Sequence, residues 1–541
     1  MNLTPLDDGY GTLDSFWNSS SDPRAIRNDR PMKSALESVR SGATPCPGAV
    51  ASGLASRGAI SLTNVLRRLS HACAALLLIG PLAAEARNLE AFPGASGYGR
   101  YAKGGRDGAI IFVTSLADRG PGTLRACIDA EGPRTCIFRV GGIIRWTSER
   151  PIIRNPYITI AGQTAPGGGI LITHGGGRYG VTPLVAKNTH DVVIRHIRVR
   201  LDNRGATRAV NSGIIFENSK NVIVDHVSVS WAEDETIGGQ GQNDNITISN
   251  SILAEGLRRH DKCALLSSDP LGSQNMTFIG NICAHNGDRN PDVNFFPKSC
   301  VDVVNNVIYN ARSDFVEVWE QHGGSPVNIV GNYFKSGPNM VPGRYIIARQ
   351  SVKSTGRARI YEAGNHIDGK IEREPPPYVR EAMVDTPTCP LGAPVLDARQ
   401  AFGRALREAG AFPRDTVDMR LVKEVKNGTG RIRNAPGILP EIADGTPYAD
   451  SDKDGMSDEW ERTNGADAGR SDAWDDADHD GWRNLDEFLD YAHRRSLAGS
   501  SVAETEGSVT RPWTLAALAV VLIAAVIAGF GSLSNTGAVS S

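Results

Sequence analysis

The chain has 541 residues, of which 40% are hydrophobic, 22% charged and 6% aromatic, and this apolar fraction excludes a disordered chain. The 58 Lys and Arg residues nearly balance the 60 Asp and Glu residues, and the formal net charge of −2 argues against nucleic acid as a partner. Any anionic ligand must therefore be held by a local site.

The N-terminal part of the chain predicts export. Residues 1–65 form a polar extension, and residues 66–86 have the basic start, apolar middle and small terminal residues of a signal peptide cleaved after Ala86. Two interpretations of the extension stay open: it is a cytoplasmic segment, or the true start lies downstream of Met1. Six cysteines follow the cleavage site, an even number that suits an oxidising compartment, and Cys127 and Cys136 are close enough in sequence to bridge.

Short β-branched segments recur along the middle of the chain, from ITIAG ending at Gly162 to NIVGN ending at Asn332. Their ends are 24 to 34 residues apart, with turn residues and no helical periodicity between them. This spacing is typical of a parallel β-helix, an all-β solenoid in which each coil stacks on the previous one. An antiparallel sandwich is the alternative, and it would have tighter and more evenly spaced turns. We predict the solenoid over 87–370, followed by a flank of the same domain over 371–440.

Asparagine recurs at the ends of these segments. A side-chain amide can both donate to and accept from the Asn of the next coil, which satisfies the polar groups of a stacked structure. We therefore predict a ladder of asparagines along the solenoid. Its predicted members are Asn250, Asn281, Asn306 and Asn332.

Seven motifs occur in one order between Ala91 and Asn339: AFPGASGYGRYAKGGR, FVTSLADRGPGTLRACI, ITIAGQTAPGGGI, VIVDHVSVSW, HDKCALLSSD, HNGDRNP and VNIVGNYFKSGPN. Together they resemble the bacterial pectate lyases of polysaccharide lyase family one. The resemblance implies a right-handed parallel β-helix. It also implies an enzyme that cleaves polygalacturonate, or a related acidic plant-type polysaccharide, by Ca²⁺-assisted β-elimination.

The chemistry of such a substrate determines which groups the site must contain. Each sugar carries a carboxylate on C5, and cleavage removes the C5 proton and expels the oxygen on C4 of the same sugar. Negative charge develops on that carboxylate and must be neutralised by cations. A base, Ca²⁺ ligands and Lys or Arg side chains should therefore meet in one groove.

The resemblance assigns the catalytic base to Arg289, in the HNGDRNP motif. Free guanidinium does not lose a proton near neutral pH, so this role requires a crowd of other cations around it. The alternative is an arginine that pairs with Asp288 or Asp292 in a loop.

The resemblance also assigns a substrate-binding role to Lys262, which matches the family's lysine for a substrate carboxylate. The alternative is a solvated coil residue. The family pattern has a second Arg where this chain has Asn294, and Lys298 and Arg312 are candidates to replace it.

A calcium site in the groove is expected from Asp234 and Glu235, which follow the DH motif of the family. Two further Asp residues would be expected before that motif, but the chain has Asn211 and Ser212 there. Asp202 is a candidate third ligand. A site with so few carboxylates would bind Ca²⁺ weakly, or only when a carboxylate of the substrate completes it.

Residues 445–492 carry two copies of a Ca²⁺-loop pattern, with Gly455 and Gly481 at the sharp turn. The predicted ligands are Asp450, Asp452, Asp454, Asp458 and Glu461 in the first loop, and Asp476, Asp478, Asp480, Asn484 and Glu487 in the second. The segment resembles paired EF-hand-like or dockerin-like repeats, which are small and helical. We expect structural Ca²⁺ there, and the alternative is two acidic loops without metal.

The chain ends in an apolar segment. Residues 493–512 form a linker, and residues 513–533 contain no charge and would span about 30 Å as a helix. We predict a transmembrane helix, with a buried helix of a soluble domain as the alternative. Either this anchor is retained or it is part of a signal that is removed after export.

The sequence thus predicts an exported, membrane-tethered, monomeric pectate lyase-like enzyme that uses Ca²⁺. A β-helix glycoside hydrolase would instead need paired carboxylates that flank one bond. A non-catalytic carbohydrate-binding β-helix is the third possibility, motivated by Asn211, Ser212 and Asn294.

Overall fold

The computed structural model describes residues 89–202, 211–257, 260–499 and 502. The predicted extension, signal peptide and transmembrane helix, at 1–65, 66–86 and 513–533, lie outside the described residues. Within these ranges, no helix combines the length and the apolar character needed to cross a bilayer.

Short strands make up most of the described chain. The first nine are β1 (Ala109–Val113), β2 (Arg134–Phe138), β3 (Gly142–Arg145), β4 (Ile152–Ile153), β5 (Ile158–Ala161), β6 (Ile170–Thr173), β7 (Leu184–Lys187), β8 (His190–Arg195) and β9 (Ile197–Arg200). The next nine are β10 (Ile214–Glu217), β11 (Lys220–Asp225), β12 (Ser228–Ser230), β13 (Glu235–Gln240), β14 (Asp244–Ser249), β15 (Ile252–Ala254), β16 (Lys262–Ser268), β17 (Asn275–Ile279) and β18 (Ile282–Ala284). The last nine are β19 (Asp292–Val293), β20 (Cys300–Val304), β21 (Val307–Tyr309), β22 (Val316–Trp319), β23 (Pro326–Val330), β24 (Tyr333–Lys335), β25 (Ile347–Gln350), β26 (Arg359–Ala363) and β27 (His366–Asp368).

These strands form three parallel sheets, to which successive coils add one strand each. In the described residues, the first sheet runs β1-β2-β5-β8-β11-β14-β17-β20-β23-β26, the second β4-β7-β10-β13-β16-β19-β22-β25, and the third β3-β6-β9-β12-β15-β18-β21-β24-β27. The predicted parallel solenoid is therefore confirmed, and the antiparallel sandwich is wrong. Its right-handedness stays a prediction.

The interior of the solenoid is filled by β-branched and aromatic side chains in register. Ile194, Val224, Ile248 and Phe278 stand opposite one another on four neighbouring strands, and all are buried. Because each coil repeats the same inward positions, one apolar core runs through the stack.

The predicted asparagine ladder exists over four coils. The backbone N–H of Asn281 donates to Oδ1 of Asn306 at 2.9 Å, Asn306 donates to Asn332 at 2.8 Å, and Asn332 donates to Asn365 at 2.8 Å. Asn250 is not a member, because its side-chain amide instead donates to a carboxylate of the preceding coil.

Two disulfides lie in the described part of the chain. One joins Cys127 to Cys136, as their spacing predicted, and the other joins Cys263 to Cys283. Both bridges lie at the core of the stack.

Helices flank the solenoid. They are α1 (Leu124–Asp129), α2 (Pro377–Arg380), α3 (Ala398–Glu408), α4 (Thr416–Asn427), α5 (Asp458–Asn464) and α6 (Asn484–Leu497). The apolar face of α4, with Leu421 and Val425, packs on buried residues of the third sheet such as Ile282 and Val307. Residues 398–427 therefore cover one face of the stack.

Candidate active site

Charged side chains collect where strands of the second sheet begin. Strand pairing sets Glu235 opposite Lys262, Lys262 opposite Asp288, and Asp292 opposite Glu317. Because these strands are parallel and in register, residues at their starts stack along one edge of the sheet. Motifs that are far apart in sequence thereby form one row.

Arg289 lies at the centre of this row. Its guanidinium forms an ion pair with Glu235, and its Nε lies 3.5 Å from Oδ2 of Asp292. Burial opposes the charged form, yet Asp292, Glu235 and Glu317 raise the pKa of Arg289 above its usual value. With only these neighbours, Arg289 keeps its proton and its positive charge. Its contact with Asp292 is the pairing that was expected if Arg289 is a loop residue rather than a base.

Lys262 is a paired residue of the groove rather than a solvated one. Its Nζ forms an ion pair with Asp288, and only 15% of its side chain is exposed. Arg289 and Lys262 therefore present two cations on neighbouring coils.

Asp234 and Glu235 lie together at the start of β13. Nδ1 of His260 is 3.0 Å from Oδ1 of Asp234, and although burial opposes ionisation, contacts with His260 and Glu235 lower the pKa of Asp234. Burial and the adjacent Asp234 raise the pKa of Glu235 to about 7. Because the two adjacent carboxylates repel each other, a divalent cation that both of them bind would stabilise their charged forms.

The other candidate ligands of the groove have their own partners. Asp202 forms an ion pair with Arg145, 2.6 Å apart. Asn211 is buried and donates to Glu233 at 3.4 Å. Asn294, in the place of the family's second Arg, donates to Gln321 at 3.2 Å.

The row contains a second acidic group, which was not predicted from the sequence. Asp288, Asp314 and Glu317 each offer an oxygen, and these oxygens lie within 4.8 Å of one another. Burial, Asp288 and Asp314 raise the pKa of Glu317 to about 7. Asp314 follows Asp288 by one coil, so a search for acidic residues at the repeat spacing would have found it.

Two arginines on later coils extend the positive side of the row. Arg312 bonds to Asp261 at 2.9 Å, and Arg344 lies 3.8 Å from Asp314. Their side chains are 40% and 44% exposed, so both can reach an anionic polymer in the groove. Arg312, one of the two predicted replacements for the second Arg, thus belongs to the row.

Comparison with known proteins decides the family. No family model matches the chain. It is 33% identical over 406 residues to a probable pectate lyase C of Aspergillus flavus, covering 72% of this chain and 90% of that one. A probable pectate lyase C of Neosartorya fischeri is 34% identical over 400 residues, covering 71% of this chain and 90% of that one. The chain belongs to the pectate lyase family.

This pectate lyase is therefore a polysaccharide lyase, and the hydrolase and non-catalytic interpretations are set aside. Among solved structures, it is similar to the major allergen from cedar pollen, with 19% identity, a TM-score of 0.47, and coverage of 59% of this chain and 92% of that one. It is also similar to a pectate lyase from Bacillus sp. N165 in complex with trigalacturonate. There the identity is 15% and the TM-score 0.44, with coverage of 59% of this chain and 99% of that one.

The C-terminal loops of the lyase bring their acidic residues together. Asp450, Asp452 and Asp454 form one group with converging oxygens, and a second group combines Asp476, Asp478 and Asp480. Glu461 belongs to a further group with Asp454 and Asp472, whereas Glu487 lies near the second group, where burial and its three aspartates raise the pKa of Glu487 to about 7.

The remaining two predicted ligands, Asp458 and Asn484, accept hydrogen bonds from the backbone of their own loops. Oδ1 of Asp458 accepts from the backbone N–H of Ser451 at 2.7 Å. Oδ1 of Asn484 likewise accepts from the backbone N–H of Ala477 at 3.0 Å. The two loops thus repeat one local structure as well as one sequence pattern.

Proposed function

We propose that this pectate lyase cleaves polygalacturonate, or a related uronate polymer, by Ca²⁺-assisted β-elimination in the groove at the start of β13, β16, β19 and β22. The observation that carries the proposal is the position of Arg289. Its guanidinium is in contact with Glu235 and Asp292, and Arg289 lies one coil after Lys262.

The donor set suits Ca²⁺, a hard cation that binds oxygen ligands. The row supplies carboxylates from Asp234, Glu235, Asp288, Asp314 and Glu317. In addition, Oδ1 of buried Asp292 has no hydrogen-bond partner among the described residues. Ca²⁺ held by these groups would neutralise the substrate carboxylate and offset the negative field that now raises the pKa of Arg289.

The residues of the chain then divide the work of the elimination. Lys262 binds a substrate carboxylate, and Arg289, once relieved of its proton, removes the proton from C5. The C5–H electron pair forms the C4–C5 double bond, the C4–O bond breaks, and the departing oxygen takes a proton from water. The product is an unsaturated sugar, and water is not added across the bond.

The test uses the purified full-length chain with polygalacturonate, with and without Ca²⁺. We expect ultraviolet absorbance from the 4,5-unsaturated product only when Ca²⁺ is present. New reducing ends without that absorbance would contradict elimination. Full activity in the presence of chelator would contradict the role of Ca²⁺ but would not contradict elimination.

The same proposal includes the C-terminal loops and the location of the enzyme. Each loop is proposed to bind one structural Ca²⁺, supported by the converging aspartates at Asp450 and Asp476. Export through residues 66–86 and tethering by residues 513–533 rest on the sequence pattern, as does a monomeric state. Fractionation of producing cells tests the location: enzyme recovered in the cytosol would contradict export.

A further inference from the structure

A buried acidic group joins the first Ca²⁺ loop to the segment that follows it. Asp454 and Glu461 belong to the loop, whereas Asp472 lies after α5 and outside the loop pattern. One oxygen of each lies within 4.8 Å of the others, and all three residues are buried. Three like charges in such a place repel one another unless a cation or protons compensate them.

The surroundings of the Glu461 carboxylate indicate that a cation binds here. The residue is 0% exposed, and neither of its carboxylate oxygens has a hydrogen-bond partner in the described part of the chain. Both oxygens of Asp452, in the same loop, are also buried without a partner. Buried carboxylate oxygens without donors are costly, and a bound cation removes that cost.

Asp458, the predicted ligand at the start of α5, lies outside the groups of converging oxygens in the first loop. Its Oδ1 accepts from the backbone N–H of Ser451 and its Oδ2 accepts from the hydroxyl of Ser451, both at 2.7 Å. It lies at the first turn of α5, where these bonds fix the loop to the helix. Its two oxygens are therefore engaged by Ser451, and Asp458 does not belong to the group of converging oxygens that Asp454, Glu461 and Asp472 form.

Asp472 is held in place from both sides. Its backbone N–H donates to Oδ2 of Asp454 at 3.1 Å, and its own Oδ2 accepts from the backbone N–H of Asp467 at 3.0 Å. The side-chain amide of Asn484, in the second loop, donates to the backbone oxygen of Asp472 at 2.9 Å. Oδ2 of Asp472 also pairs with the exposed Arg470 at 3.2 Å, and its Oδ1 accepts from the amide of Asn484 at 3.3 Å, which connects it to the second loop. The carboxylate of Asp472 thus has partners, yet one of its oxygens lies within 4.8 Å of oxygens of Asp454 and Glu461.

We propose that Asp472 is a ligand of the cation bound by the first loop, together with Asp450, Asp452, Asp454 and Glu461, and that Asp458 is not a ligand. This assignment rests on the proposed Ca²⁺ binding of the loops. It gives the site a carboxylate from outside the loop and links it physically to Asn484 of its neighbour.

The experiment compares Asp472→Asn with Asp458→Asn in the full-length chain. Both changes remove one carboxylate and keep the size of the side chain. In both, and in the parent chain used as reference, the second loop is disabled by Asp476→Ala and Asp480→Ala and the proposed groove site by Asp234→Asn and Glu235→Gln. Calorimetry with CaCl₂ on chelator-treated protein then reports the first loop. We expect Asp472→Asn to weaken Ca²⁺ binding by about tenfold or more, because the site loses one formal charge. We expect Asp458→Asn to change it by less than about threefold.

A second measurement guards against misfolding. Asp472→Glu keeps the carboxylate and should bind Ca²⁺ more tightly than Asp472→Asn. In limited proteolysis, Ca²⁺ should protect α5 in the parent but only weakly in Asp472→Asn. Equal Ca²⁺ affinity of the parent and Asp472→Asn would overturn the assignment while the loop function stands. A loss in Asp458→Asn as large as that in Asp472→Asn would also overturn it. No Ca²⁺ binding by the parent would overturn both the loop function and the assignment.

Discussion

Glu235 and Arg289 form an ion pair although β16 lies between their strands in the second sheet. The pair connects the residue predicted as a base to a residue predicted as a Ca²⁺ ligand. Competition follows from this contact: a cation that takes the carboxylate of Glu235 leaves Arg289 with one negative partner fewer, which lowers the affinity of the guanidinium for its proton.

Replacing Arg289 with Lys tests its role as the base. We expect kcat on polygalacturonate to fall by about 100-fold or more, with little change in KM, because a base acts only in the transition state. The matched control is Lys262→Ala, which should mainly raise KM. If Arg289→Lys instead weakens binding and leaves kcat intact, Arg289 is a binding residue.

Arg312 should bind the substrate in place of the second Arg of the family. Its half-exposed side chain follows Arg289 by one coil and is tied to Asp261. We expect Arg312→Ala to raise KM for polygalacturonate by about tenfold, with a smaller effect on kcat, because one carboxylate contact is lost. Lys298→Ala serves as the control and should have less effect. The reverse order of the two effects would assign the role to Lys298.

The Ca²⁺ dependence of activity should vary with pH around neutrality. Burial holds the pKa of Glu235 and that of Glu317 at about 7, so part of the carboxylate charge is absent below that pH. Ca²⁺ binds the deprotonated forms, and the Ca²⁺ concentration for half-maximal activity should therefore fall as pH rises from 6 to 8. Glu235→Gln should flatten this dependence. A half-maximal concentration that does not change with pH would contradict the involvement of both residues.

The sequence predicts those parts of the enzyme that repeat. The strands recur at intervals of 24 to 34 residues, and the ladder from Asn281 to Asn332 follows because each coil places its Asn above the previous one. Arg289 and Lys262 were found because they lie in motifs. Asp314 and Glu317 lie outside any motif: the repeat spacing from Asp288 could have indicated Asp314, whereas Glu317 reaches the groove through the stacking of β19 and β22.

Asp472 was missed for a similar reason, since the loop pattern ends at Glu461. Its nearness to that loop depends on how the chain turns after α5, which the sequence pattern does not encode. The ladder position of Asn250 was wrong because a nearby carboxylate, that of Asp225, competes for its amide at 2.9 Å.

The contact between α6 and the solenoid should weaken in acid. Nε2 of His196 is 2.8 Å from Nδ1 of His493, and Nδ1 of His196 accepts from the backbone N–H of Phe412, so His196 is neutral and donates to His493. Burial, Arg195 and His226 lower the pKa of His493 to about 2, against about 6.5 in an unfolded chain. Because the folded value is the lower one, the stabilisation is complete above pH 6.5 and declines as pH falls from there toward 2.

Hydrogen exchange of α6 at pH 7.5 and pH 5 measures this effect. After correction for the intrinsic exchange rate, we expect the amides of α6 to exchange about tenfold faster at pH 5 than at pH 7.5. This ratio corresponds to a loss of about 1.4 kcal/mol in the free energy of local opening. His493→Gln cannot take up a proton and should show a smaller difference between the two pH values. Equal protection of α6 at both pH values in the native chain would contradict the prediction.

Removal of Ca²⁺ should loosen the first coil of the lyase as well as the C-terminal loops. Arg139 lies 3.6 Å from Asp450 of the first loop, and Gly455 is so close to Ile110 and Ile137 that a Cβ atom there would lie 3.2 Å from each side chain. The apolar residues of this interface form one buried cluster, which continues through Trp460 and Phe488, among others. Loss of the proposed Ca²⁺ should therefore disturb a core that the loops share with β1 and β2.

Hydrogen exchange with and without chelator tests this coupling over residues 109–138. We expect faster exchange of β1 and β2 after chelation, while β20 and β23, far along the stack, change little, because a solenoid transmits stability mainly between neighbouring coils. The double change Asp450→Ala with Asp476→Ala should give the fast exchange even in Ca²⁺ and remove the response to chelator. Unchanged exchange of β1 and β2 upon chelation, with residues 445–492 exposed, would show that the loops stabilise only their own segment. A response of β20 and β23 equal to that of β1 and β2 would instead locate the effect in the groove, where Ca²⁺ is proposed to act in catalysis.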